Sequence, residues 1–122
     1  VTGAETIQDA RLMARSVISS SLVKTAFFGA DANWGRILCA MGYSGARFNP
    51  GSVSLWFSSA QGALQVVEKG MLLVFDEEVA KKILLEKDVK VLARLADGEA
   101  SAVAWGCDLS YEYVRINGDY RS

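Results

Sequence analysis

Histidine is absent from this 122-residue chain. Its absence removes Ser-His-Asp and Cys-His catalysis within the chain, and any histidine metal site. Proline occurs once, at Pro50, and cysteine twice, at Cys39 and Cys107. Both cysteines have apolar neighbours in sequence, so they read as two reduced core thiols rather than a disulfide, in keeping with a cytoplasmic protein. A strong charge of either sign is lacking too, since 13 basic residues face 14 acidic ones and the net charge is −1. Such a balance gives no global field for nucleic acid or for an anionic membrane. No apolar run approaches the ~20 residues that span a bilayer; the longest, Gly70 to Phe75, is strand-sized. Val1 to Asp9 is polar and acidic, unlike a targeting signal. Neither Gly-x-Gly-x-x-Gly nor the Walker pattern occurs, which argues against a doubly wound nucleotide-binding sheet.

What is present suits one domain: 51% apolar and 22% charged residues, in a chain able to bury about two thirds of its unfolded surface. Glycines around residues 45–52 mark a possible subdivision, and no internal repeat is found. Val1 to Ala4 reads as the end of a strand running into a helix. A chain that begins in mid-element is expected to be a piece of something longer.

Helical spacing of Ile7, Ala10, Met13, Ala14, Val17 and Ile18 predicts a first helix, capped by Thr6 or Glu5 and ended by Ser19-Ser20-Ser21. Leu22 to Phe28 is too short for periodicity to choose between strand and helix. Trp34 to Tyr43 reads as a helix with Asp31 as its cap and Ile37, Leu38 and Met41 inward. Val53–Phe57 and Ala63–Val67 read as a hairpin. A helix follows from Phe75, with acids in its first turn and Val79 and Ile83 inward. Val89–Leu95 and Ala100–Trp105 read as a second hairpin through Asp97-Gly98. The sum is α+β: N-terminal helices followed by a mostly antiparallel sheet with a covering helix.

Two stretches are dense in chemistry. Phe28 to Arg36 holds Asp31, Asn33, Trp34 and Arg36 in a loop leading into a helix, where free N–H groups and a guanidinium suit an anion or a carboxylate. The structural alternative has Asp31 capping the helix, Arg36 pairing with Asp31, and Trp34 filling core. Cys107 has no base near it in sequence, so a buried, inert thiol is expected, and Asp108 is expected to cap the last element. The second stretch, Asn117 to Ser122, is polar and ends the chain, but Val114-Arg115-Ile116 before it reads as well packed. Asn117 offers both donor and acceptor to an amino acid's ammonium and carboxylate.

Four blocks in order resemble the ornithine acetyltransferase (glutamate N-acetyltransferase) family of arginine biosynthesis. They are Ser20 to Ala26, Gly29 to Ile37, Trp105 to Leu109 and Tyr113 to Tyr120, and the resemblance runs from about Val1 to Ser122. It implies the family's αβ roll or sandwich. It also implies a precursor that cuts itself at an Ala–Thr bond into alpha and beta chains, typically assembled as a heterotetramer. The new N-terminal threonine accepts acetyl from N-acetylornithine and passes it to glutamate, its own α-amine acting as base. Bifunctional members also accept acetyl-CoA. No cofactor is called for. This chain then corresponds to the C-terminal part of the beta chain. The cleavage site and the acidic block expected just upstream of Val1 are absent, so the resemblance places no catalytic residue here. What carries over is Asn117 and Ser122 as substrate-binding residues; Asp31, Asn33, Trp34 and Arg36 carry no transferable role beyond shaping the site or a subunit contact, and Ala32 stands where many members have proline. The alternative reading is a non-catalytic domain that binds an amino acid or anion, or a purely structural partner.

Overall fold

Thr6 opens the first helix. Its side chain accepts the Asp9 N–H at 3.0 Å and caps α1, Ile7–Ser19. Ala10, Met13 and Ala14 form the buried stripe; Val17 and Ile18 are half-buried, and Ile7 is exposed. The serine run ends this helix and starts the next one. Ser20 is extended, and its Oγ accepts the Val23 N–H at 3.3 Å, capping α2, Ser21–Phe28. The stretch that periodicity left undecided is therefore helical, with Val23 and Ala26 inward. After a short loop comes α3, Trp34–Gly42, which buries Ile37, Ala40 and Met41 and half-buries Leu38. The computed structural model describes residues 1–119.

A turn at Pro50–Ser52 leads into β1, Ser54–Ser59, which pairs antiparallel with β2, Gly62–Glu68. The two-residue β3, Met71–Leu72, extends β2 at one edge, and β4, Lys90–Arg94, pairs antiparallel with β1 on the other side. The order is β3-β2-β1-β4. Leu55 pairs with Val67 and Trp56 with Gln65, which leaves Val66 as an extra residue. Simple alternation would send Val66 and Val67 to opposite faces; with the bulge between them both are buried. α4, Glu77–Leu84, packs on β1 and β2. Asp76 caps it through the Glu78 N–H at 2.9 Å, and Glu77 and Glu78 sit where the helix dipole favours them. Ala80, Ile83 and Leu84 are buried; Val79, expected inward, is exposed. Helix and sheet side chains share one core, from Met13 and Ile37 to Val53, Leu55, Phe57 and Leu95, with Phe27 meeting Phe57 edge to face at 6.0 Å.

The second hairpin does not form. Residues 1–4 lie along β4 instead: the Thr2 N–H donates to Ala93 O and the Leu95 N–H to Thr2 O, each at 2.9 Å. Ala100 then pairs with Ala4 on the outer side, and the Ala102 N–H donates to Val1 O at 2.9 Å. The expected partner of β4 is thus separated from it by the other end of the chain. Two glycines permit this close packing. Gly3 has φ +74°, and a Cβ there would fall 2.0 Å from Leu95 O; a Cβ on Gly98 would fall 2.5 Å from Ala4 O.

Two further expectations are corrected. Cys39 and Cys107 are free, as read, but exposed rather than core. Cys39 occupies a face of α3 away from Ile37, Ala40 and Met41, and Cys107 lies in the irregular run after Ala102. The last element, α5, Tyr111–Asp119, buries none of its residues, and Val114 and Ile116 are each 56% exposed. Their apolar spacing is real, but nothing among the described residues packs over it.

Candidate functional site

The loop between α2 and α3 is built by its own hydrogen bonds. The Ala30 N–H donates to Phe27 O and the Asp31 N–H to Ala26 O, turning the chain back on α2 with Ala30 at φ +51°. Asn33, not Asp31, caps α3: its Oδ1 accepts the Arg36 N–H at 3.1 Å. The Asn33 Nδ2 donates to Asp31 Oδ2 at 3.0 Å, so Asp31 orients the capping amide. Sequence spacing misassigned the cap because both residues are good N-caps, two positions apart.

Arg36 does not pair with Asp31 either. Its Nη1 donates to Leu22 O at 2.9 Å and reaches Thr25 Oγ1 at 3.4 Å. This guanidinium ties the start of α3 to α2. Trp34 is half-buried and packs against the core. Asp31, Asn33 and Arg36 are thus joined by hydrogen bonds within the chain, with Trp34 as a lateral support.

Residues 109–111, which lead into α5, meet this region. Ser110 Oγ accepts the Tyr113 N–H at 3.0 Å and caps α5, the role expected of Asp108. The Leu109 N–H donates to Lys24 O at 3.3 Å, and the Tyr111 ring stands edge to face on Phe28, with centroids 5.4 Å apart. The first singled-out stretch, at its Phe28 end, therefore touches Tyr111, at the start of the helix that carries Asn117. Phe28 opens the first stretch, but nothing in the sequence marked Tyr111 as its partner. Further along α5, Arg115 pairs with Glu112 at 2.7 Å and lies 4.0 Å from Asp119. Asn117 is exposed; its Nδ2 donates to Tyr113 O at 2.8 Å, and its Oδ1 accepts no hydrogen bond among the described residues. Ser122 lies outside the described residues.

Beside this contact runs an open groove of about 1400 Å³, bounded by α1, α2, the start of β4 and residues 101–108. Val1, Lys24, Phe28, Lys90, Trp105 and Asp108 all line it. The Val1 nitrogen donates to Ala102 O at 3.0 Å. Trp105 is 84% exposed there. Sequence reasoning missed the groove, since its walls come from segments that only the tertiary fold brings together. Among the described residues no three His, Cys, Asp or Glu side chains gather in a way that could hold a metal ion, and no helix is long and apolar enough to cross a membrane.

A family profile described as the ArgJ family matches residues 1–122. The chain is 52% identical over 122 residues to an arginine biosynthesis bifunctional protein ArgJ from Caldanaerobacter subterraneus, covering all of this chain and 30% of that protein. It is 46% identical over 124 residues to a glutamate N-acetyltransferase from Methanothermobacter thermautotrophicus, covering 98% of this chain and 31% of that protein. Its fold superimposes on the crystal structure of the arginine biosynthesis bifunctional protein argJ from Bacillus halodurans with a TM-score of 0.89 and 43% identity, over 98% of this chain and 55% of that one. The chain thus spans about 30% of the length of the curated relatives it matches.

Proposed function

The chain belongs to the ArgJ family, and on that premise we propose that it works as the C-terminal part of the beta chain of a glutamate N-acetyltransferase. The observation that carries this reading is the match along nearly the whole chain, at about half identity, to an arginine biosynthesis bifunctional protein ArgJ and to a protein named glutamate N-acetyltransferase. In the proposed reaction a threonine upstream of these residues attacks the acetyl carbonyl of N-acetylornithine. Ornithine leaves as the free amine, and the acetyl group, held as a threonine ester, passes to the amine of glutamate. The threonine's own α-amine takes and returns the proton, so a chain without histidine is no obstacle. In relatives named bifunctional we read acetyl-CoA as a second donor, and the same is proposed here.

Within that enzyme this segment supplies scaffold and one wall of the amino-acid pocket. Asn117 supports the second role, because its carbonyl oxygen is uncommitted on an exposed face of α5. Ser122 is proposed as its companion. Asp31, Asn33, Trp34 and Arg36 hold the loop on which α5 leans through Phe28, and so shape the site without touching substrate. The exposed apolar side chains Val103, Trp105, Tyr111, Val114 and Ile116 support docking onto the upstream beta segment and the alpha chain. A heterotetramer is the proposed assembly.

The test is Asn117→Ala in the assembled enzyme. Loss of one hydrogen bond to substrate predicts a KM for N-acetylornithine raised roughly tenfold. An unchanged KM and rate would remove Asn117 from the pocket.

A further inference from the structure

A second concave site, sharing no lining residue with the groove, lies where the 50–52 turn, the 69–70 turn and the end of β4 meet. It is an open depression of about 260 Å³. Two cations line it, Lys69 and Arg94, with two hydroxyls, Ser52 and Ser54, and no acidic side chain. Among the described residues the ion pairs are those of Arg115, so neither cation is neutralised by a partner there. Asp97, close in sequence to Arg94, accepts the Asn49 N–H at 3.2 Å.

Arg94 is held without being used up, and the Lys69 backbone is fixed while its side chain stays exposed. The Arg94 guanidinium lies over the Trp56 ring, 4.6 Å from its centre, a contact that fixes the group and leaves its N–H donors free. Lys69 sits at φ +45°, a region that non-glycine residues seldom occupy. The following Gly70 explains how that conformation is held: a Cβ there would lie 2.9 Å from Gly51 Cα, so the two turns pack backbone against backbone. The Gly70 N–H also donates to Val53 O at 2.8 Å. Ser54 is only 5% exposed, and its Oγ accepts the Lys69 N–H at 3.0 Å. No acceptor for its own hydroxyl hydrogen is found among the described residues. Ser52 differs: its hydroxyl already donates to Asn49 O at 2.9 Å. A buried donor therefore remains unspent in the wall of a pocket that also carries two uncompensated positive charges.

We propose that Lys69, Arg94 and Ser54 form a phosphate-binding site. The guanidinium presents paired N–H donors, the ammonium a point charge and Ser54 a directed hydroxyl. Drawn from three different segments, they suit the three or four oxygens of a tetrahedral oxyanion better than the two in-plane oxygens of a carboxylate. The ligand is inorganic phosphate or the phosphate of a phosphomonoester. The site stands apart from acetyl transfer, so its failure leaves the proposed reaction untouched.

The experiment is a calorimetric titration of the full ArgJ protein carrying this chain, at fixed ionic strength, with inorganic phosphate and separately with ribose 5-phosphate. Saturable binding of either is expected, weakened at least about tenfold by Lys69→Asn with Arg94→Gln, since charge-assisted bonds are lost. Asparagine is chosen because it tolerates the left-handed conformation. Tighter binding of ribose 5-phosphate identifies an organic phosphate as the ligand, and equal binding identifies free phosphate. Linear, non-saturating heats with both ligands overturn the proposal, as does unchanged affinity in the double variant. Should that variant fail to fold, amide shifts of the unmodified protein decide: changes centred on Ser54, Lys69 and Ala96 support the site, and changes elsewhere overturn it.

Discussion

Asn33 shows how much one amide settles. It accepts from the Arg36 N–H and donates to Asp31, so the start of α3 depends on it more than on the carboxylate beside it. Asn33→Ala is expected to destabilise the protein by about 1 kcal/mol, whereas Asp31→Ala, which removes only an exposed bond, is expected to cost about half that or less. Urea midpoints of the two variants check this, and the reverse order would return the cap to Asp31. Gly3 shows the same economy in backbone form. With φ +74° and Leu95 O so close, Gly3→Ala combines left-handed strain with overlap, and a loss of roughly 2–4 kcal/mol is expected. A wild-type denaturation midpoint for that variant would mean that residues 1–4 do not hold β4 as described. Neither role was legible in the sequence alone. Asp31 and Asn33 are equally good caps by type, and a glycine reveals its φ only when its neighbours are known.

At the scale of elements, local signals and tertiary signals separate cleanly. Thr6 caps where its side chain and the following pattern put it, whereas the Ser20 and Asp76 caps were not read from the sequence. The β1–β2 hairpin and α4 were legible for the same reason, since each is decided within about ten residues. The Asp97-Gly98 turn misled because β4 found its neighbour at the far end of the chain, which no local pattern encodes. Helix α5 misled in the other direction. Its apolar spacing was read as burial, yet it is exposed throughout, held at its start by the Ser110 cap and the Phe28–Tyr111 contact. An isolated helix of this length is marginal in water. In this chain alone, the Tyr111–Asp119 amides are therefore expected to exchange hydrogen nearly as fast as unstructured chain. In the assembled enzyme they should slow at least about tenfold, as covered apolar surface would require. Equal exchange in both states would mean that α5 docks on nothing.

The whole molecule is an α+β unit of the ArgJ family in which one chemistry-bearing stretch, at its Phe28 end, touches Tyr111 at the start of the helix that carries Asn117. The family and fold class were legible because whole blocks such as Asn33-Trp34-Gly35-Arg36 are specific, independently of what each side chain does. The site was legible only in part. Its two stretches stood out by density of polar side chains, but the groove beside them is assembled from α1, α2, β4 and residues 101–108. The central claim is that this chain completes an acetyltransferase whose nucleophile lies outside it. Acetyl transfer from N-acetylornithine to glutamate tests that most directly, measured with these 122 residues alone and with the upstream portion that its relatives carry. Activity only in the joined form is the predicted result. Turnover by these residues alone would place the nucleophile among them, and no turnover in either form would contradict the assignment of the reaction.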